Sequence, residues 1–246
     1  MNPPHNPLEG PPADLTLDLR DRTDEQISII IVHKDRPAYL NICLQSISVC
    51  SNNNNYEIVV VDNASGKESQ DFLDDIKDEV TLVKNEKNLY WSAAANRGAD
   101  AASKNSKYLI FLHCDTVVLN PGWIDLLVSV SQARKSGLVG IDQASYYLQG
   151  QKIEFVSEWC MLTTRECWKA CGPFPDELPM IGHAFIYSIK ANKLGYAPQV
   201  MKNPAVHHYH VFSLEDVSMW EKMLESASAN IPKLLQAIQS QNVGTK

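Results

Sequence analysis

Five short runs, ISIIIV at 27–32, YEIVVV at 56–61, VTLV at 80–83, YLIFL at 108–112 and GLVGI at 137–141, constrain this chain more than any other feature in it. They are rich in β-branched residues and apolar at nearly every position, so a strand built from them leaves no face for water. Such a strand is stable only inside a sheet covered on both sides, which is the habit of parallel sheets. The segments between the runs supply the covers. Pro37 suits a first helical turn, and Leu40, Leu44 and Ile47 follow it at helical spacing; Phe72 with Ile76 marks a second stripe, and Trp123, Leu127 and Val130 a third. Strand alternating with helix predicts an α/β fold with a mostly parallel central sheet flanked by helices.

Past residue 141 the rhythm loosens. KIEFVSEWCMLTT reads as one or two strands, TRECWKACGPF as a short helix stopped by Gly172 and Pro173, and HAFIYSIKANKLGY as a helix closed by Gly195. Residues 214–238 read as one or two helices, with Pro232 as the point of interruption. The expected organisation is an arm at 1–26, flexible because it holds five prolines and no apolar periodicity, then halves at 27–140 and 141–246 within one compact domain.

A net charge of −7 gives the chain no general basic field for nucleic acid or an anionic membrane surface, so an anionic substrate would need a local positive site. The six cysteines form no CxxC pair, which removes zinc-ribbon and thioredoxin-type readings; Cys167 and Cys171, one turn apart around Trp168, read as an apolar helix face. No apolar run reaches the roughly 18 residues of a membrane span, and residues 1–26 carry no signal-peptide core, so the expected location is cytoplasmic.

In an open parallel sheet, ligands bind beyond the carboxyl ends of the strands. Those ends carry His33, Lys34 and Asp35, then Asp62, Asn63 and Ser65, then His113, Cys114 and Asp115. Four segments in this order, SIIIVHKDRPAYLNICLQSI, EIVVVDNAS, VKNEKNLYWSAAANRGADAA and YLIFLHCDTVVLNPGWIDLL, resemble the nucleotide-sugar-binding half of a family 2, GT-A fold inverting glycosyltransferase. The resemblance covers about 27–127 and continues more weakly to about 210. It implies a Rossmann-like nucleotide-diphospho-sugar transferase fold, with 27–140 binding the donor and 141–246 the acceptor.

The resemblance also implies roles. Asp62 with Asn63 would read the base of a UDP- or dTDP-sugar, a carboxylate being a fit acceptor for a ring N3–H, although both residues also suit a strand-end turn. His33 and Asp35 would lie along the nucleotide, and Asn96 and Arg97, expected on the opening turns of a helix, would approach the pyrophosphate. Asp115 matches the last acid of the metal triplet, His113 replaces the first, and Cys114 is expected to point into the fold. His208 or His210 would complete a site for Mn²⁺ or Mg²⁺, imidazole favouring Mn²⁺.

The pattern breaks where the family carries an acidic pair. His183 and Ala184 stand there, leaving His183, or else Asp176 or Glu177, to take the proton of a hydroxyl acceptor. That acceptor could be a glycan, a lipid-linked glycan or another hydroxyl compound; the charge disfavours nucleic acid without removing it. Two competing readings follow: a sugar-nucleotide-binding or partner-binding protein without transferase chemistry, and a nucleotidyltransferase, for which the glycine-free VHKDRPAYL is a poor phosphate loop.

Overall fold

Strand β1 (Ile27–His33) is the axis of the computed structural model, which describes residues 26–51, 54–148, 150–201, 205–210 and 217–240. The predicted arm, apart from Gln26, lies outside the described residues. After β1 the chain runs through α1 (Pro37–Cys50), β2 (Tyr56–Asp62), α2 (Lys67–Ile76), β3 (Thr81–Lys84), α3 (Tyr90–Ala101) and β4 (Tyr108–His113). Next come β5 (Thr116–Val118), α4 (Trp123–Arg134), β6 (Leu138–Gly140), the hairpin of β7 (Gln143–Leu148) and β8 (Gln151–Val156), and β9 (Cys160–Thr164). The chain continues with α5 (Arg165–Cys171), α6 (His183–Lys193), β10 (Gln199–Val200), β11 (Val206–His208) and α7 (Val217–Ser240).

The sheet order is β10-β6-β9-β4-β1-β2-β3. Every pairing in it is parallel except the two made by β9, which lies antiparallel between β4 and β6. Strands from both halves of the sequence therefore build one sheet.

Alternation along β1 explains its doubly apolar sequence. Ile27, Ile29 and Ile31 face a core closed by α1, α2 and α4, while Ile30 faces a second core closed by α3, α5 and α6. Each such side chain contributes about 1.5–3 kcal/mol by leaving water. A third cluster joins Phe185 and Ile186 of α6 to Ala227, Ile231, Leu235 and Ile238 of α7. Those contacts flank Pro232 and hold α7 as one helix through it, where the sequence left one or two helices open. Among the described residues, no helix is long and apolar enough to cross a membrane.

Register sets the rim. His33 pairs with Asp62 across β1 and β2, and Val32 with His113 across β1 and β4, so three polar strand ends lie side by side. Helix α3 comes very close to the sheet beneath them at Gly98, where an added Cβ would sit 2.5 Å from Ile30 Cγ2 and 2.9 Å from Val61 Cγ2. Gly98→Ala is expected to destabilise the fold by about 1–3 kcal/mol through overpacking, despite alanine's better helix propensity. Urea unfolding of the two proteins checks this, and an equal or higher midpoint for the alanine variant would contradict the close packing.

Candidate active site

Strand β4 stops at His113 because the chain turns there: Thr116 Oγ1 donates to the His113 carbonyl at 2.8 Å, and β5 leaves the turn to pair with β11. That antiparallel pairing sets His208 opposite Thr116, and Tyr209 N donates to the Asp115 carbonyl at 2.9 Å. Two backbone constraints thus carry a histidine from far along the chain onto the turn. His208 Nε2 lies 3.0 Å from Asp115 Oδ1 and 3.3 Å from His113 Nδ1, and His113 Nδ1 lies 3.9 Å from Asp115 Oδ1. One ligand atom from each residue fits within 4.8 Å of the others. Two imidazole nitrogens and a carboxylate oxygen converging on one point suit a divalent transition metal, since a single shared proton could satisfy only part of the set.

The triad opens into a cavity of about 250 Å³. Its wall includes Lys34, Arg36, Asn63 and Asn88, the aromatic and apolar side chains of Tyr90, Trp91, Met180, Met219 and Trp220, and the polar groups of Glu158, His183 and His210. Arg36 Nε is buried without a hydrogen-bond partner, and its charge acts on the Cys114 thiol beside the triad. It puts a positive charge beside the triad in an otherwise acidic chain.

The sequence profile of Glycosyl transferase family 2 matches residues 28–193. The chain belongs to that family. It is 31% identical over 123 residues to the O-antigen biosynthesis protein RfbC of Myxococcus xanthus, a match covering 48% of this chain and 9% of that protein. Among solved structures it is similar to the mannosyltransferase PcManGT from Pyrobaculum calidifontis in complex with GDP-Man and Mn²⁺, with a TM-score of 0.67, 14% identity, and coverage of 95% of this chain and 69% of that one. It is also similar to S. aureus TarS 1-349 in complex with UDP, with a TM-score of 0.60, 16% identity, and coverage of 84% and 65%. These similarities show a GT-A fold.

Within this family 2 chain the predicted site residues divide. His113, Asp115, His208, His210, Asn63 and His183 line the cavity. Cys114 packs against the core that holds Cys43, as expected, and also contributes to the cavity wall. His33, Asp35, Asp62, Asn96, Arg97 and Asp176 are not in its wall. Asp62 is buried, accepting Ser65 N on Oδ1 at 3.1 Å and Gln70 Nε2 on Oδ2 at 2.5 Å. His33 is buried against Ser69 Oγ at 3.1 Å. Asp35 ties the two rim loops, accepting Gly66 N and receiving Lys34.

Asn63 holds the β2 and β3 loops by donating to Asn88 and Tyr90 and accepting from Asn85 and Leu89. Asn96 and Arg97 lie well inside α3 rather than on its opening turns, because the helix starts at Tyr90. Asn96 clamps the backbone of Phe174 through both amide atoms, and Arg97 is exposed in a shallow surface depression with Lys84, Glu86 and Lys87. The first amides of α3 are already bound, Tyr90 N to Asn88 Oδ1 and Trp91 N and Ser92 N to the Pro179 carbonyl, which leaves that helix end no free donors for a phosphate. Asp176 is exposed on the loop before α6.

Sequence reasoning missed Arg36, Trp91 and Glu158. The signal for Arg36 was its place in HKDR immediately after β1; nothing in the sequence marks Glu158.

Burial governs the protonation of the site. Desolvation pulls His183 down to about 3, aided by His113, and His33 down to about 4 against the opposing pull of Asp62. Glu158 is pushed up by burial. His183 stacks on Trp91 at 4.4 Å with 21° between planes, and neither of its ring nitrogens has a hydrogen-bond partner. Neutral in the fold but protonated near pH 6.5 once unfolded, His33 and His183 give stability that is complete above pH 6.5 and falls as pH drops toward 4. Each histidine loses up to about 1.4 kcal/mol per pH unit below 6.5 until its folded pKa is reached. Thermal melts from pH 7.5 to 4.5 should show this decline, and His183→Phe, which keeps the stack and removes the proton site, should flatten it; an unchanged slope would contradict the buried neutral state of His183.

Proposed function

We propose that this chain transfers a glycosyl group from a nucleotide-diphosphate sugar to a hydroxyl acceptor with inversion, using Mn²⁺ or Mg²⁺ held by His113, Asp115 and His208. The observation that carries the reading is the convergence of those three ligand atoms beside Arg36, at the carboxyl rim of a family 2 sheet. When bound, the metal would neutralise the diphosphate leaving group. Arg36 supplies further positive charge in the same cavity, Lys34 lies there paired with Asp35, and Asn63 and Asn88 would shape the space for the nucleotide. The bound partners of the similar structures, UDP and GDP-Man, support a nucleotide donor and leave its base open between uracil, thymine and guanine. Six free thiols, all but Cys114 buried, accord with a reducing compartment such as the cytoplasm.

Inversion requires a group to take the acceptor's proton, and the first residues of α6, His183 and Ala184, include no carboxylate. That gap favours the second reading, a donor-binding protein without transfer. Titration of UDP-glucose, UDP-GlcNAc, dTDP-glucose and GDP-mannose with Mn²⁺ and with chelator tests the donor and the metal together. At least one donor should bind, with chelator or Asp115→Asn weakening it about 100-fold or more, and His113→Asp should move the preference toward Mg²⁺. Metal-independent binding, or binding indifferent to Asp115, would refute the triad's role.

A further inference from the structure

We propose that Glu158 is the group that takes the acceptor's proton. This rests on the transferase reading above and supplies the carboxylate that α6 lacks. Among the described residues, the carboxylates in the cavity wall are those of Asp115 and Glu158. Asp115 is committed to the triad. Glu158 opens on the same space yet stands outside the compact set of ligand atoms, the arrangement that a proton acceptor needs and a metal ligand does not.

Its position is fixed from both sides. Ser157 N donates to the Asp142 carbonyl at 3.1 Å, and the Trp159 carbonyl accepts His113 N at 2.9 Å. Trp159 Nε1 donates to Asp142 Oδ2 at 3.1 Å while the indole stacks on His208, centroids 5.1 Å apart and planes 17° apart. Trp159 is thus bonded to the strand end that carries His113 and packed on the ring of His208, so the backbone at Glu158 is fixed beside the triad and its side chain lines the same cavity. Of the other candidates, His183 is 1% exposed and packed on Trp91 and Phe174, and Asp176 and Glu177 are not in the cavity wall.

In the step, the acceptor oxygen forms a bond to the anomeric carbon from the face opposite the leaving group. The bond from that carbon to the phosphate oxygen breaks, and the nucleoside diphosphate departs with the electron pair. The acceptor's proton passes to a Glu158 carboxylate oxygen.

The test uses the full chain with Mn²⁺, a donor that it binds, and either water or azide as acceptor. Water must lose a proton on attack; azide has none to lose. Glu158→Gln, with Glu158→Ala as a second variant, should lower donor hydrolysis by about 100- to 10,000-fold while donor affinity stays within about twofold. Azide should restore donor cleavage in both variants, giving the inverted glycosyl azide. Full hydrolysis by Glu158→Gln, or azide-dependent and water-dependent rates that fall together, would overturn the assignment of Glu158 alone. A wild-type protein that binds and cleaves none of the donors would overturn the transferase reading and the proton acceptor with it.

Discussion

The antiparallel pairing of β9 with β4 is the constraint on which the site depends. It runs from Tyr108 opposite Thr164 to Leu112 opposite Cys160, and the His113 N to Trp159 carbonyl bond extends it one step beyond the strand. In a sheet otherwise parallel, a reversed strand brings its leading end to the same rim as the carboxyl ends of its neighbours. The entry into β9 therefore arrives where β1, β2 and β4 finish, and Trp159, next to Glu158 in the chain, meets His113 there. The triad is completed by a second pairing of the same sense, β11 on β5. Each contact is backbone to backbone, so the donor atoms are positioned by ladders that tolerate side-chain change around them.

The fold was legible because the sheet's physics is written residue by residue. Runs such as ISIIIV have no polar face to offer water, and only a doubly covered sheet accepts them; the helices between them announce themselves by period. His113 and Asp115 were legible for the same reason, since they immediately follow such a run. His208 was readable as one of a cluster of histidines, and only the β5–β11 register chooses it over His210 as the third ligand atom.

The remainder of the site was illegible for definite reasons. Asp62 and Asn63 looked like ligand-binding groups because polar residues after a strand serve either a ligand or the turn, and no local pattern separates the two uses. In the fold Asp62 spends its oxygens on Ser65 and Gln70 outside the cavity wall, while Asn63 lines that wall even as its amide braces the loops around Asn88. Arg97 was misplaced because Leu89, the N-cap of α3, is not a capping type; the first amides go to the nearby Asn88 side chain and to the Pro179 carbonyl, which only the tertiary fold brings there. Glu158 was invisible because its importance arises only when β9 is placed beside β4, a pairing between residues about fifty apart that no sequence window spans.

The family match ends at residue 193, yet the cavity does not. His208 and His210, together with Met219 and Trp220 of α7, close it from beyond that limit. Helix α7 is fastened by its own apolar seam to α6 and by Ser226 and Asn230 to the Glu177 carbonyl. The molecule is accordingly built as a shared frame with a separately attached shutter. Substitutions along α7 can reshape the mouth of the cavity while the sheet that presents His113 and Asp115 keeps its register. Diversification of such a chain would leave its record in the C-terminal helix far more than in the strands.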